Sequence, residues 1–238
     1  MFKIGGLIVF CGLLALPLPV DLASDPTDLA KGFTDAVKNN LLSGDLLNGL
    51  KNIPLLGALK NLGNGPDGIV SGLLQQVISL LNPLKNILDI NIASSKLLEL
   101  GLVQSEDGHR LYLTIPLDLD VAVQVPLIKK RLLNLSVKLN TTVELAPVKD
   151  ENGTVHLVLG DCTQPPGKLD ITVLDGADTF FLQTFANTIT NILNKGIPLV
   201  VQGPVCTIVN ELLSRLDVSL VQEIANKLLT GEGIVINI

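Results

Sequence analysis

The stretch LYLTIPLDLDVAVQV, from Leu111 to Val125, decides the fold because every odd-numbered residue in it is apolar. The even positions include polar side chains such as Thr114, Asp118 and Asp120. Successive side chains of a β-strand point to opposite faces, so this run predicts one long strand with an apolar face and a wetted face. Strands wetted on one face are typical of antiparallel sheets.

The same alternation continues through the middle of the chain. Residues 133–145 repeat it, with polar side chains at Asn134, Ser136, Lys138, Asn140, Thr142 and Glu144. Shorter strands are predicted at residues 88–92, 98–102, 155–159 and 169–173, and a closing strand at 233–238. Asn152-Gly153, between two of these strands, indicates a tight hairpin.

Helical spacing flanks the predicted sheet on both sides. Asp25-Pro26 indicates a helix start, followed by apolar residues every four positions; loops and short helical turns are predicted over 43–68 and a helix over 69–81. Two apolar stripes near the end predict two helices, separated by Gly196, Pro198 and Pro204, and a short helix is predicted over 219–229. The pattern predicts an α+β fold, a single domain in which a long antiparallel sheet packs against long helices.

The amino terminus has the pattern of a secretory signal peptide. Lys3 precedes the apolar run from Ile4 to Leu16, and helix-breaking prolines follow. We assign residues 1–19 to the signal, with cleavage between Ala15 and Val20, and residues 20–238 to the domain. A buried amino-terminal helix is the alternative. The apolar run is too short for a comfortable membrane span of about 20 residues, and no later segment predicts one.

Composition narrows the class of protein. Of all residues 47% are hydrophobic, and leucine alone makes up about a fifth. The net charge of −6 disfavours nucleic-acid binding and electrostatic capture by anionic membranes, and we interpret Lys129-Lys130-Arg131 as a solvated strand turn. A secreted protein with an adaptable aliphatic core is the expectation.

Cysteines and titratable residues offer little chemistry. After removal of Cys11 with the signal, Cys162 and Cys206 form an even pair, which leaves a disulfide or two free thiols open and makes a metal site less favoured. His109 is interpreted as a solvated turn residue and His156 as a structural strand residue, because neither has a partner at metal or triad spacing. Asp118 and Asp120 are read as solvated carboxylates. We therefore predict no enzyme, no catalytic residue, no metal and no cofactor.

Two further sets of candidate residues follow from the predicted elements. Three N-glycosylation sequons begin at Asn134, Asn140 and Asn152, and at least one is expected to be used. A cavity between the apolar sheet face and the helices would suit an acyl chain, with a filled core as the alternative. Its lipid-facing candidates are Phe181, Phe185, Ile189 and Leu193.

Several motifs together carry a family resemblance. LLELGLVQS (97–105), DGHRLY (107–112) and TIPL (114–117) are the most specific, and NIPLL (52–56), HLVLGDC (156–162), Cys206 and LDV (216–218) extend the match over nearly the whole chain. The sequence is similar to the short PLUNC (palate, lung and nasal epithelium) proteins of BPI-fold-containing family A. The resemblance implies a single BPI-like domain with a long twisted sheet and a lipid-accepting cavity.

The resemblance also implies function and site residues. Members are secreted onto airway and oral mucosa, lower surface tension, bind phospholipid or lipopolysaccharide, and restrain bacteria. The family disulfide falls on Cys162 and Cys206. The patch tied to surface and antibacterial activity falls on Ile69, Val70, Ser71, Gly72, Leu73 and Leu74.

Two departures limit what the resemblance carries over. The segment linked to sodium-channel inhibition is shortened here to about Pro17 to Ser24, and the surface-active patch has lost glycines and is followed by Gln75-Gln76. The expected function is a secreted lipid- or lipopolysaccharide-binding, surface-active protein of mucosal defence. A surfactant-like structural protein without a defined ligand and a regulator of an epithelial ion channel are the alternatives.

Overall fold

The alternating runs form an antiparallel sheet, as predicted, and six strands of it lie within the described residues. The computed structural model describes residues 26–43, 46–63, 89–125, 130–163, 169–175 and 180–234. The strands are β1 (Asp89–Leu97), β2 (Gly101–Gln104), β3 (Leu111–Val125), β4 (Lys130–Lys149), β5 (Val155–Thr163) and β6 (Asp170–Asp175). The central pair, β3 and β4, is in continuous register from Leu111 opposite Leu145 to Val123 opposite Leu133, and a register shift then places Val125 opposite Lys130.

Each long central strand has two shorter strands along its outer edge. β1 and β2 lie end to end along β3, and β5 and β6 lie end to end along β4. The prediction of one strand over 98–102 is wrong in its start, because residues 98–100 lie between β1 and β2. The break faces Pro116, whose carbonyl accepts a hydrogen bond from the Leu98 N–H at 2.9 Å. Proline has no N–H to return, so the ladder is interrupted at that position.

Alternation in the sequence becomes burial in the structure. The odd-numbered residues of β3 from Leu111 to Val123 are buried, whereas the even-numbered ones, apart from Ala122, are half-buried. The apolar faces of β3 and β4 join the helices in one hydrophobic core. The sheet therefore has one face against the helices and one face toward solvent.

Five described helices accompany the sheet. They are α1 (Pro26–Ser43), α2 (Leu46–Lys51), α3 (Leu55–Gly63), α4 (Phe180–Leu213) and α5 (Val218–Thr230). α1 buries Leu29, Phe33, Val37 and Leu41 as predicted, and α5 confirms the predicted short helix. α4 contacts β4, β5, β6 and helices α1 to α3, and α5 contacts β4, β5 and α1.

The prediction of two helices separated at Gly196, Pro198 and Pro204 is wrong, because α4 runs through all three for 34 residues. An interior proline costs about 3 kcal/mol. Ile197, Val201 and Val205 are fully buried among these breakers, and each such burial is worth about 1.5–3 kcal/mol. Packing against the core therefore outweighs the local preference to end the helix.

Some predicted elements lie wholly or partly outside the described residues. These are the signal peptide, Asp25 as a helix cap, the helix over 69–81, and residues 235–238 of the closing strand. Within the described part, Gly233 and Ile234 are not in a strand, although Ile234 is buried.

Candidate functional site

An apolar groove of about 440 Å³ lies between α3 and α4. Five of its six lining residues are apolar, and the polar one is Asn61; the others are Ile53, Ala58, Leu199, Val200 and Pro204. Its volume lies in the range of ligand pockets, about 300–1,000 Å³. With no charged side chain among the described residues of its lining, the groove suits an apolar chain better than a polar substrate.

α3 and α4 approach each other closely near the groove. A Cβ added to Gly196 of α4 would lie 2.0 Å from Cδ2 of Leu59, a fully buried residue of α3. Only glycine leaves room for Leu59 in its present position.

Leu199 is the exposed wall of the groove. Its side chain is 57% exposed, although most large apolar residues of α4 are buried in the core. Residues Gln183–Leu213 are long and apolar enough to cross a membrane by length and composition, and their apolar window is 39% buried. The core helix of a soluble protein passes the same test. What distinguishes α4 here is that part of its apolar surface is not buried in the core.

The predicted lipid-facing residues of α4 lie elsewhere. Phe185, Ile189 and Leu193 are fully buried in the hydrophobic core, and the side chain of Phe181 is outside the described part. A ligand reaches the buried three only if the helix layer opens, so their lipid contact stays a prediction. The predicted surface-active patch, from Ile69 to Leu74, lies outside the described residues.

Cys162 and Cys206 form a disulfide, with their Cα atoms 6.0 Å apart. Cys162 lies near the end of β5 and Cys206 in the last third of α4, two residues past Pro204 of the groove. The Gln202 side-chain amide also donates a hydrogen bond to the Cys162 carbonyl. The long helix is thus fastened to the sheet edge close to the groove.

His109 has a role that the interpretation as a solvated turn residue missed. Its Nδ1 atom lies 2.8 Å from the Leu228 carbonyl at the end of α5. Beside it, the Gln104 side chain donates to the Gly108 and Glu232 carbonyls, both at 2.8 Å, and accepts from the Ile234 N–H at 2.7 Å. The turn between β2 and β3 therefore clasps the end of α5.

The remaining titratable candidates serve the local structure. His156 Nε2 lies 3.2 Å from Asp150 Oδ2, and this contact is the main reason that the pKa of Asp150 is lowered. Asp150 Oδ1 also accepts the N–H groups of Asn152 and Thr154, which closes a five-residue turn between β4 and β5. Asp118 accepts a hydrogen bond from Ser136, and Asp120 from Ser94. Among the described residues, no cluster of His, Cys, Asp and Glu could hold a metal ion.

The three sequons occupy different surroundings. Asn140, on β4, and Asn152, in the β4–β5 turn, are exposed. Asn134, also on β4, is half-buried, and its Oδ1 atom is buried without a hydrogen-bond partner in the described part of the chain.

The long antiparallel sheet with α4 along its apolar face is a BPI-like fold. The solution structure of latherin superimposes with a TM-score of 0.65, at 29% identity over 87% of this chain and 94% of that one. The model of the LBP/BPI/CETP family N-terminal domain matches residues 36–216.

Sequence relatives narrow the class further. BPI fold-containing family A member 1 of Sus scrofa is 49% identical over the full length of both chains, and latherin of Equus caballus is 30% identical over 96% of each. The chain therefore belongs to the LBP/BPI/CETP family and, within it, to BPI fold-containing family A, as the resemblance to the short PLUNC proteins predicted.

Sequence reasoning missed the groove. Leu199 lies off the buried stripe of α4, a signal that becomes visible only when residues 180–213 are read as one helix. The interpretation of Pro198 and Pro204 as helix boundaries hid that continuity. The wall from α3 had a weaker signal, because Ala58 and Asn61 belong to a segment interpreted as loops and turns.

Proposed function

We propose that this chain is a secreted, surface-active protein of mucosal fluid that binds lipid, and that the groove between α3 and α4 receives an acyl chain. The observation that carries the proposal is a groove with apolar walls and an exposed leucine, Leu199. An acyl chain placed there gains about 0.8 kcal/mol for each buried methylene group.

Family membership supports the coarser part of the proposal: a secreted, lipid-binding, surface-active and non-enzymatic protein. The pairings of the two histidines agree with a structural role, since His109 contacts a helix end and His156 an exposed turn. The ligand class, phospholipid or lipopolysaccharide, and an antibacterial action at bacterial surfaces in airway or oral fluid are the finer parts.

Lipid uptake tests the proposal directly. The full chain is secreted from mammalian cells, and native mass spectrometry is recorded before and after incubation with phosphatidylcholine vesicles and, separately, lipopolysaccharide. We expect lipid-bound species with at least one of the two. A chain that carries no lipid after purification and takes up neither probe contradicts the proposal.

A matched pair of variants locates the site. Leu199→Asp puts a charge on the groove wall, and we expect at least a tenfold loss of affinity, since about 1.4 kcal/mol of lost apolar contact is enough. Leu229→Asp is the control, because Leu229 is 43% exposed on α5 and does not line the groove. Equal losses in both variants would show that the groove is not the lipid site.

Surface activity without a defined ligand is the second candidate function. The apolar surface that α4 leaves outside the core favours it. Pendant-drop tensiometry and the lipid-uptake assay together decide between the two functions. A chain that lowers surface tension but takes up no lipid supports the second function. Buffer-like surface tension excludes it.

Two finer hypotheses rest on the sequence alone. The patch from Ile69 to Leu74 is proposed as a surface-active and antibacterial element, and Leu73→Asp with Leu74→Asp should then raise surface tension and reduce bacterial killing. Regulation of an epithelial ion channel is tested by recording channel current with and without the secreted chain. An unchanged current rejects channel regulation.

A further inference from the structure

We propose that Asn140 and Asn152 carry N-linked glycans and that Asn134 does not, so that the glycans stand on the sheet side of the molecule, away from the apolar groove. All three residues begin Asn-X-Ser/Thr sequons. The structure separates them by how much room each side chain has.

Asn140 lies on the solvent face of the sheet at a gap in the strand pairing. Its neighbours Leu139 and Thr141 are buried, so alternation points the Asn140 side chain away from the core. β6 pairs with β4 as far as Lys138, and β5 pairs with it from Thr142 onward. An exposed side chain beside such a gap leaves a bulky glycan free to extend into water.

Asn152 lies at the tip of the turn between β4 and β5. Its backbone N–H is held by Asp150 Oδ1 at 2.9 Å, whereas its residue surface is exposed. The turn is closed by backbone and Asp150 hydrogen bonds and does not depend on the Asn152 amide among the contacts described. A glycan at this position leaves the turn intact.

Asn134 lies between two paired strands. It is in register with Ala122 of β3, which is only 2% exposed, and with Asp175 of β6. Its Oδ1 atom is already buried. The Asn134 side chain is half-buried on the solvent face of the sheet, so a glycan on its amide would displace the side chains around it, and a chain modified there folds poorly and is depleted from the secreted product.

The glycan positions also imply an orientation of the protein at an interface, which rests on the proposed function. The helix layer carries the groove and Leu199, and the sheet carries the Asn140 glycan on its opposite face. Glycans favour water, so a molecule adsorbed at a lipid or air interface is held with α3 and α4 toward the apolar phase and the sheet toward the liquid. The glycans thereby make the solvent face of the sheet more hydrophilic than its alternating polar side chains alone would make it.

Peptide mapping tests the occupancy. The full chain secreted from mammalian cells is treated with peptide N-glycosidase in heavy-oxygen water, which labels each formerly glycosylated asparagine as heavy aspartate. We expect label at residues 140 and 152 that depends on the enzyme, since Asn152-Gly153 also deamidates without it, and none at 134. Asn140→Gln and Asn152→Gln should each remove one glycan from the intact mass, and Asn134→Gln should remove none.

A second pair of variants tests the Asn140 sequon without changing Asn140 itself, so that a folding defect of the Asn140→Gln variant does not decide the result. Thr142→Ala destroys the sequon of Asn140 without changing the asparagine, and Thr142→Ser retains it. Loss of one glycan in the alanine variant alone supports occupancy of Asn140. Label at Asn134, or no label at Asn140 or Asn152, overturns the assignment.

Orientation is measured on the adsorbed film. A glycan-binding lectin added to the liquid beneath the film should bind to the wild-type film and not to a film of enzymatically deglycosylated protein. A film that excludes the lectin overturns the orientation. Absence of any film contradicts the proposed function and, with it, the orientation, whereas occupancy is decided by the peptide mapping alone.

Discussion

Removing the Cys162–Cys206 disulfide should cost about 4 kcal/mol of unfolding free energy. The bond joins residues 44 positions apart, so it closes a loop of 45 residues counting both cysteines. The chain-entropy relation gives about 13 cal/mol/K for such a loop, or about 4 kcal/mol at room temperature. For a urea m-value of about 2–3 kcal/mol/M, the midpoint should fall by about 1.3–2 M.

The assay is urea denaturation of the wild type and of the Cys162→Ala/Cys206→Ala double variant. Far-ultraviolet circular dichroism is the suitable probe, because the chain has no Trp. Reductant should lower the midpoint of the wild type to that of the double variant and leave the double variant unchanged. A loss below about 1 kcal/mol would refute the chain-entropy reasoning, and would show that non-covalent contacts restrict the same stretch of chain in the unfolded state.

Three further predictions follow from individual contacts. Gly108→Ala should lower the free energy of unfolding by about 1–3 kcal/mol in urea denaturation. Gly108 has a φ of 78°, and a Cβ there would lie 2.7 Å from the Gly231 carbonyl oxygen. An unchanged free energy of unfolding would contradict the close contact between the β2–β3 turn and the end of α5. Thr141→Val should raise the unfolding free energy by about 1–3 kcal/mol, since the Thr141 hydroxyl is buried with no hydrogen-bond partner among the described residues; Thr141→Ala, which leaves a cavity, is the control. The Asp217 side chain caps α5, and hydrogen bonds, first from Ser219 and then from the Leu220 N–H, hold its pKa below the ordinary 3.8. Its contribution to stability is therefore complete above pH 3.8 and is lost as the pH falls through the lowered pKa; the difference in melting temperature between wild type and Asp217→Ala should shrink in that range, and a difference independent of pH would reject the assignment.

Period-two alternation predicted the sheet well because it records burial directly. The odd-numbered residues of β3 that predicted a core face are buried, and the polar side chains between them face outward. The same reasoning failed at the break beside Pro116, since the interruption depends on which neighbouring strand faces the missing N–H. Such a pairing is a property of the register and is not visible in either strand alone.

Helix boundaries were harder to predict because the local tendency of proline to end a helix opposes the burial of apolar side chains in the core. Pro198 and Pro204 favour a break in any isolated peptide, and the fully buried Ile197 and Val201 stabilise the continuous helix only once the sheet is present. The groove is lined by Leu199, Val200 and Pro204 of that continuous helix together with residues of α3 and the turn before it. Its location therefore could not be derived from residue patterns within α4.

The motif that identifies the family most specifically is a structural clasp. Within LLELGLVQS and DGHRLY, Gln104, Gly108 and His109 all contact the end of α5 or the residues directly after it. At the end of α5 the Leu228 carbonyl accepts the Gly231 N–H at 3.4 Å and also lies 2.8 Å from His109 Nδ1, and the Ile234 N–H donates to the Gln104 side chain. These residues are constrained by one another and by the backbone, whatever ligand the helices bind. The groove is lined by Leu199, Ala58 and other side chains that an apolar residue of similar size can replace. A sequence of this family therefore indicates its fold far more sharply than its ligand.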